Sequence, residues 1–154
     1  LPVAVAEPSN LEARGAMLAG SCLSGIAFLK GLGLVHAISH MVGAEYDTQH
    51  GLTNAVVLPA ALRHNAPALA DKIEPLSQAM GLRDTSFEAF YAHVCAILDQ
   101  VGIPKTLTDI GVPSDCAARI ADKALQDSAA GTNACALTAQ DIERVIAVAL
   151  TKGR

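Results

Sequence analysis

Apolar residues recur at helical spacing along most of the chain. Phe87, Phe90, Val94, Ile97, Leu98 and Val101 fall three and four apart, the interval that stacks side chains on one face of a helix. His93 lies beside that stripe and reads as an ordinary helix residue. Near the C-terminus Ile142, Val145, Ile146, Ala149 and Leu150 repeat the pattern behind Thr138-Ala-Gln-Asp141, whose side chains can cap a helix. Two other starts read as capping boxes. Ser9-Asn-Leu-Glu12 opens a helix to about Lys30, and Thr85-Ser-Phe-Glu88 opens the Phe87 segment. Gly31 and Gly33 then break the pattern before a short helix from Leu34 to about Val42, ending near Gly43. Residues 51 to 64, GLTNAVVLPAALRH, predict a third helix that Pro59 either kinks or divides, and residues 67 to 80 a fourth. Residues 102 to 113, GIPKTLTDIGVP, hold two prolines and two glycines and predict a loop, followed by a helix from about Cys116 to Ser128.

The sum is about seven helices and no strand or repeat. The predicted fold is all-α, a single compact multi-helix bundle over residues 1–154. The first helix carries a face of small residues, Gly15, Ala19, Ser21, Ser24 and Gly25, which predicts close packing against a neighbouring helix.

Composition supports this picture. The 154 residues are 51% hydrophobic, enough to build one core without staples. Ala, Leu and Val supply most of that fraction and aromatic residues are few, which favours helix over sheet. The net charge is −4 and the eleven Lys and Arg are scattered, so nucleic acid is not an expected partner. No apolar run approaches the ~20 residues that span a bilayer, and no membrane partner is expected. Cys22, Cys95, Cys116 and Cys135 show no CxxC spacing, and two lie in helical apolar patterns. Reduced thiols and a cytoplasmic location are the expectation. The N-terminal LPVAVAEP lacks both the basic region of a signal peptide and an initiator Met, as if the chain began inside something longer.

Candidate chemistry concentrates in GLVHAISHMVGAEYDTQHG, residues 33 to 51, which holds three of the five histidines. His36 and His40 sit four apart, so on a helix both imidazoles face one volume of space. The pair alone fits packing as well as a site, because HAISH lacks the Glu of a hydrolase HExxH. His50, after a tight Gly43-to-Gln49 excursion and before Gly51, can return to the first pair. Neutral imidazole suits Zn²⁺ or Fe²⁺, and spacing alone lets any two, or all three, bind. Asp47 and Glu45 read as solvated loop carboxylates. The rival reading is a non-enzymatic helical module with structural histidines.

The stretch GLGLVHAISHMVGAEYDTQHGLTNAVVLP resembles the signature of the iron-containing (group III) alcohol dehydrogenases, in which Gly-x-x-His-x-x-x-His-x-x-Gly runs on to His-Gly and an apolar helix ending in Leu-Pro. Further matches are the Glu12-Ala-Arg14 helix, His64-Asn65, GIPKTLTDIGVP, and Asp127 followed by Thr132-Asn133, so the whole chain resembles that family's dehydroquinate-synthase-like C-terminal helical domain. The resemblance implies that His36 and His50 bind the catalytic divalent metal, Fe²⁺ or alternatively Zn²⁺. It implies that His40 lies beside the nicotinamide of NAD or NADP and the substrate, placed to assist proton transfer. The reaction would be hydride transfer between a primary alcohol or aldehyde and NAD(P).

The family's other two ligands, an Asp and a His on an upstream helix, would precede this segment, and no Asp or His occurs before His36. No GxGxxG-like stretch follows a plausible strand, so the N-terminal nucleotide-binding domain is also expected to lie outside these residues. The isolated chain is expected to bind metal weakly and to lack dehydrogenase activity. An apolar face exposed beside the cleft leaves a homo-oligomer as an open outcome. Two departures from the family pattern stand out: Gln49 replaces the usual Pro before His-Gly, and Ala134-Cys135 replaces Pro-Arg after Thr-Asn.

Overall fold

The computed structural model describes residues 1–154 and is all-helical. It contains α1 (Pro2–Ala6), α2 (Leu11–Phe28), α3 (Gly33–Tyr46), α4 (His50–Asn65), α5 (Ala70–Ala79), α6 (Phe87–Gln100), α7 (Ala117–Leu125) and α8 (Ala139–Thr151). Short 3-10 turns cover Ala66–Leu69, Thr108–Ile110 and Ala130–Thr132. All seven helices expected from the sequence are present, and the five-residue α1 is added to them.

The core is built where α3, α4, α7 and α8 pack together. Leu34, Ile38 and Val42 on α3, Val56 and Val57 on α4, Ile120 on α7 and Ile142, Ile146 and Leu150 on α8 form one continuous buried cluster. Each such side chain contributes roughly 1.5–3 kcal/mol by leaving water. The 102–113 loop is stitched to this core: Leu107 N–H donates to the Ala149 carbonyl (2.8 Å) and Thr108 Oγ1 to the Leu150 carbonyl (3.0 Å). On the other side α6 packs on α4 and α5 packs on α6, burying Ile73, Phe90 and Leu98. Of the α6 stripe, only Phe90 and Leu98 are buried; the Arg63 guanidinium lies over the Tyr91 and Phe87 rings, 3.8 and 5.4 Å from their centroids.

Several local expectations shift. The first capping box is not formed: Asn10, not Ser9, is the N-cap, and its Oδ1 accepts from Ala13 N–H (3.0 Å). Ser86 rather than Thr85 caps α6. The Thr138–Asp141 box forms as the sequence indicates. Pro59 is buried inside an uninterrupted α4 and neither ends nor divides it. α3 runs past Gly43 to Tyr46, because the residue that turns out of the helix in the left-handed region is Asp47 (φ 54°), whose N–H donates to the Gly43 carbonyl.

The largest departure concerns α2. It meets α3 at 100° across the Leu29–Leu32 break, and none of its residues is buried. A Cβ built on Gly15 or Gly25 would touch nothing within 4 Å, so the small-residue face has no neighbouring helix here. Leu18 (74% exposed), Leu23 (68%) and Leu29 (87%) face solvent. The compact bundle therefore comprises α3 to α8, with α1 and α2 as an arm. No single helix is long and apolar enough to cross a membrane, and all four cysteines are free thiols.

Candidate metal centre

The site is assembled on α3 and the start of α4. Leu32, the N-cap residue of α3, offers no capping side chain, so the first backbone N–H groups of the helix need partners from elsewhere. Thr132 and Asn133 provide them across the fold. Thr132 Oγ1 accepts from Leu32 N–H (3.1 Å) and Gly33 N–H (3.3 Å), and Asn133 Oδ1 accepts from Leu34 N–H (3.1 Å). A Cβ on Gly31 would lie 2.3 Å from Thr132 Cβ, and Gly31 has φ +110°, so this approach requires glycine. Asn133 is itself fixed by a reciprocal amide pair with Asn65 (2.8 and 2.9 Å) at the end of α4. Cys135, one of the two departures after Thr-Asn, donates its thiol to Asn65 Oδ1 (3.2 Å) and joins the same network.

His36 stands on the first turn of the helix so capped, and His40 one turn further along the same face. Asp47 to Gln49 then reverse the chain. Thr53 Oγ1 donates within this turn to Thr48 Oγ1 (2.8 Å) or Gln49 O (3.0 Å). Gln49 does what its position requires: its Oε1 accepts from Leu52 N–H and caps α4. His50 is thus the first residue of α4, one position earlier than the expected helix start.

The turn brings the three imidazoles together. Ring centroids are 5.2 Å apart for His36 and His50, 5.4 Å for His40 and His50 and 5.7 Å for His36 and His40. Phe28, at the end of α2, meets the His36 ring edge-on at 5.8 Å. Burial, then the neighbouring His50 and His40, push the His36 pKa down, against a hydrogen bond with the Leu32 backbone that raises it. His36 is therefore neutral at neutral pH, the form that has a lone pair to give.

Two polar side chains complete the cluster, and local sequence reading assigned neither a role. Asn54, one turn after His50, places its amide nitrogen 3.0 Å from His50 Nε2 and 3.3 Å from His36 Nε2. The signal for it was available, because position 54 shares a helix face with position 50. Asp127 lies in the turn after α7, with Oδ2 3.1 Å from His40 Nδ1 and Oδ1 accepting from Ala129 N–H (2.8 Å). Asp127 is 87 residues from His40, and no local spacing links them. His64 and His93 do not join the cluster. His64 Nε2 is buried without a partner.

The donor set fits half a metal site. Two Nε2 atoms converge on one point, which suits Zn²⁺ or Fe²⁺, whereas a catalytic zinc has three protein ligands. No group of three His, Cys, Asp or Glu side chains is arranged to hold a metal. His40 is held by Asp127 through Nδ1.

Fold and cluster together define an all-helical domain that presents imidazoles from two successive helices across a tight turn. Residues 1–150 match the Fe-containing alcohol dehydrogenase family, C-terminal. The chain belongs to that family and corresponds to its C-terminal domain. It is 35% identical over 133 residues to lactaldehyde reductase of Escherichia coli K12, covering 82% of this chain and 35% of the relative. With the NAD-dependent methanol dehydrogenase of Bacillus methanolicus it shares 34% identity, covering 97% of this chain and 41% of that one. A crystal structure of 1,3-propanediol oxidoreductase superposes with a TM-score of 0.93 at 35% identity, over 97% of this chain and 41% of that protein. The chain thus spans about two-fifths or less of these relatives.

Proposed function

We propose that this chain is the metal-binding helical half of an NAD(P)-dependent alcohol dehydrogenase, acting on a small alcohol and its aldehyde once joined to a nucleotide-binding domain. The observation that carries the proposal is the convergence of His36 Nε2 and His50 Nε2 on one point, 3.3 and 3.0 Å from the same atom. The names of the relatives, which include a lactaldehyde reductase and a methanol dehydrogenase, support the substrate class. A cytoplasmic enzyme with NAD or NADP as second substrate is part of the same reading.

His36 and His50 would hold the divalent metal, Fe²⁺ in preference to Zn²⁺, with an upstream segment supplying the remaining ligands. That ion, when bound, supplies Lewis acidity toward the alcohol oxygen. His40 is held in one orientation by Asp127. Its Nδ1–H donates to the carboxylate, which leaves Nε2 free to accept or return a proton. Two of four ligands make a weak site, and without the nucleotide domain the isolated chain has no hydride acceptor.

The test is histidine side-chain NMR during a Zn²⁺ titration. His36 and His50 signals are expected to move together while His64 and His93 stay still. Uniform shifts across all five histidines, or dehydrogenase turnover by the isolated chain with NAD and an alcohol, would overturn the reading.

A further inference from the structure

Asn54 is the side chain within hydrogen-bond distance of both proposed ligands, through one nitrogen atom. A carboxamide nitrogen carries two N–H groups and no lone pair to offer, so it can satisfy two acceptors at once and cannot satisfy two donors. Each imidazole facing it must therefore present an unprotonated Nε2 and carry its proton on Nδ1.

The arrangement has a cost. Asn54 Oδ1 is buried with no hydrogen-bond partner. Turning the carboxamide over would place Oδ1 between the rings and bury the amide nitrogen, orphaning two N–H donors instead of one acceptor. The orientation in the structure is the less costly one.

We propose that Asn54 is a latch on the metal centre: its two N–H groups occupy the point where the two Nε2 lone pairs meet, hold His36 and His50 in the Nδ1–H tautomer that a cation needs, and move aside when the cation enters. This rests on the reading of His36 and His50 as ligands. It makes Asn54 a positioning residue, acting through the two rings. The latch sets both tautomers in advance, so a cation meets lone pairs already aimed at one point. Because residue 54 follows His50 by one helical turn, latch and ligand share one rigid element.

The experiment has two arms on the 154-residue chain. The first is ¹⁵N NMR of the histidine rings above the ordinary imidazole pKa, without added metal. Wild type is expected to show His36 and His50 as Nδ1–H tautomers, and Asn54→Ala is expected to let His50 revert largely to Nε2–H. Far-UV circular dichroism confirms that the helix persists, since alanine favours it. An Nε2–H tautomer at either ring in wild type, or an Nδ1–H tautomer at His50 that survives Asn54→Ala, overturns the latch.

The second arm is Zn²⁺ affinity. Asn54→Asp puts a carboxylate oxygen at the convergence point, and it is expected to tighten zinc binding at least about tenfold, the scale on which groups around metal ligands alter affinity. Unchanged affinity would mean that the amide does not sit where a cation sits, and would overturn the proposal. Zinc binding indifferent to His36→Ala would instead defeat the metal-centre reading, while the tautomer arm still decides whether Asn54 holds the rings.

Discussion

α2 and α3 are consecutive helices of similar apolar content, yet they end in opposite environments. α3 buries Leu34, Ala37, Ile38 and Val42 against α4, α7 and α8, while α2 buries none of its 18 residues. The difference lies in what each helix meets. α3 is capped by side chains about 100 residues away and clamped at its C-terminal end by Glu45, which bonds Arg119 (2.7 Å) and Lys123 (2.8 Å) of α7. α2 has only α1 beside it and Phe28 reaching back to His36. An apolar helix is stable in water to the extent that something covers it, and within these residues only α3 is covered.

The sharpest way to test this contrast is to remove volume from each side. Ile146→Ala, at a fully buried α8 position, is expected to cost about 2–5 kcal/mol in urea unfolding. A cost under 1 kcal/mol would mean that α8 does not close the core. Next in size is the long-range cap. Asn133→Ala strips the Leu34 N–H and Asn65 of their partner and is expected to cost about 1–2 kcal/mol, with earlier amide exchange in the first turn of α3.

Acid should erode the bundle in two stages, each with a definite sign. Burial and two neighbouring imidazoles hold His36 below its usual 6.5, so the unfolded chain takes up that proton first. Stability is then full above that pH and declines as pH falls below it. Lys123 and then Arg119 hold the Glu45 carboxyl at about 2, so its contribution is present above the ordinary 4.5 and lost as pH falls toward 2. Urea midpoints across this range should show both declines, and Glu45→Gln should shrink only the more acidic one, to which Asp84, Glu88, Asp109 and Asp141 also contribute. The smallest effect belongs to the arm: Leu18→Ala should change unfolding free energy by less than about 0.5 kcal/mol. A larger loss would place α2 in a packed environment.

The contrast also shows what a linear sequence can encode. Helical periodicity, the Thr138–Asp141 box and the loop at 102–113 depend on neighbours a few residues apart, and all three were legible. So was the return of His50 to His36, since a short reversal between two helices leaves few other placements. The caps at Ser9 and Thr85 slipped by one residue because Asn10 and Ser86 compete for the same backbone N–H groups. The α2 face of small residues reads as a close-packing surface, but no helix packs on it in the structure, because such a stripe does not specify a neighbour. The Thr132 and Asn133 cap and the Asp127–His40 pair join residues 87 to 100 positions apart, and only the folded chain brings them together.

The central claim, that His36 and His50 form half of a catalytic metal centre, is tested most directly by anaerobic Fe²⁺ titration of the chain and of His36→Ala, with Zn²⁺ alongside. The account predicts weak saturable binding that the substitution abolishes. No binding to the wild-type chain, or binding that His36→Ala leaves unchanged, would contradict it.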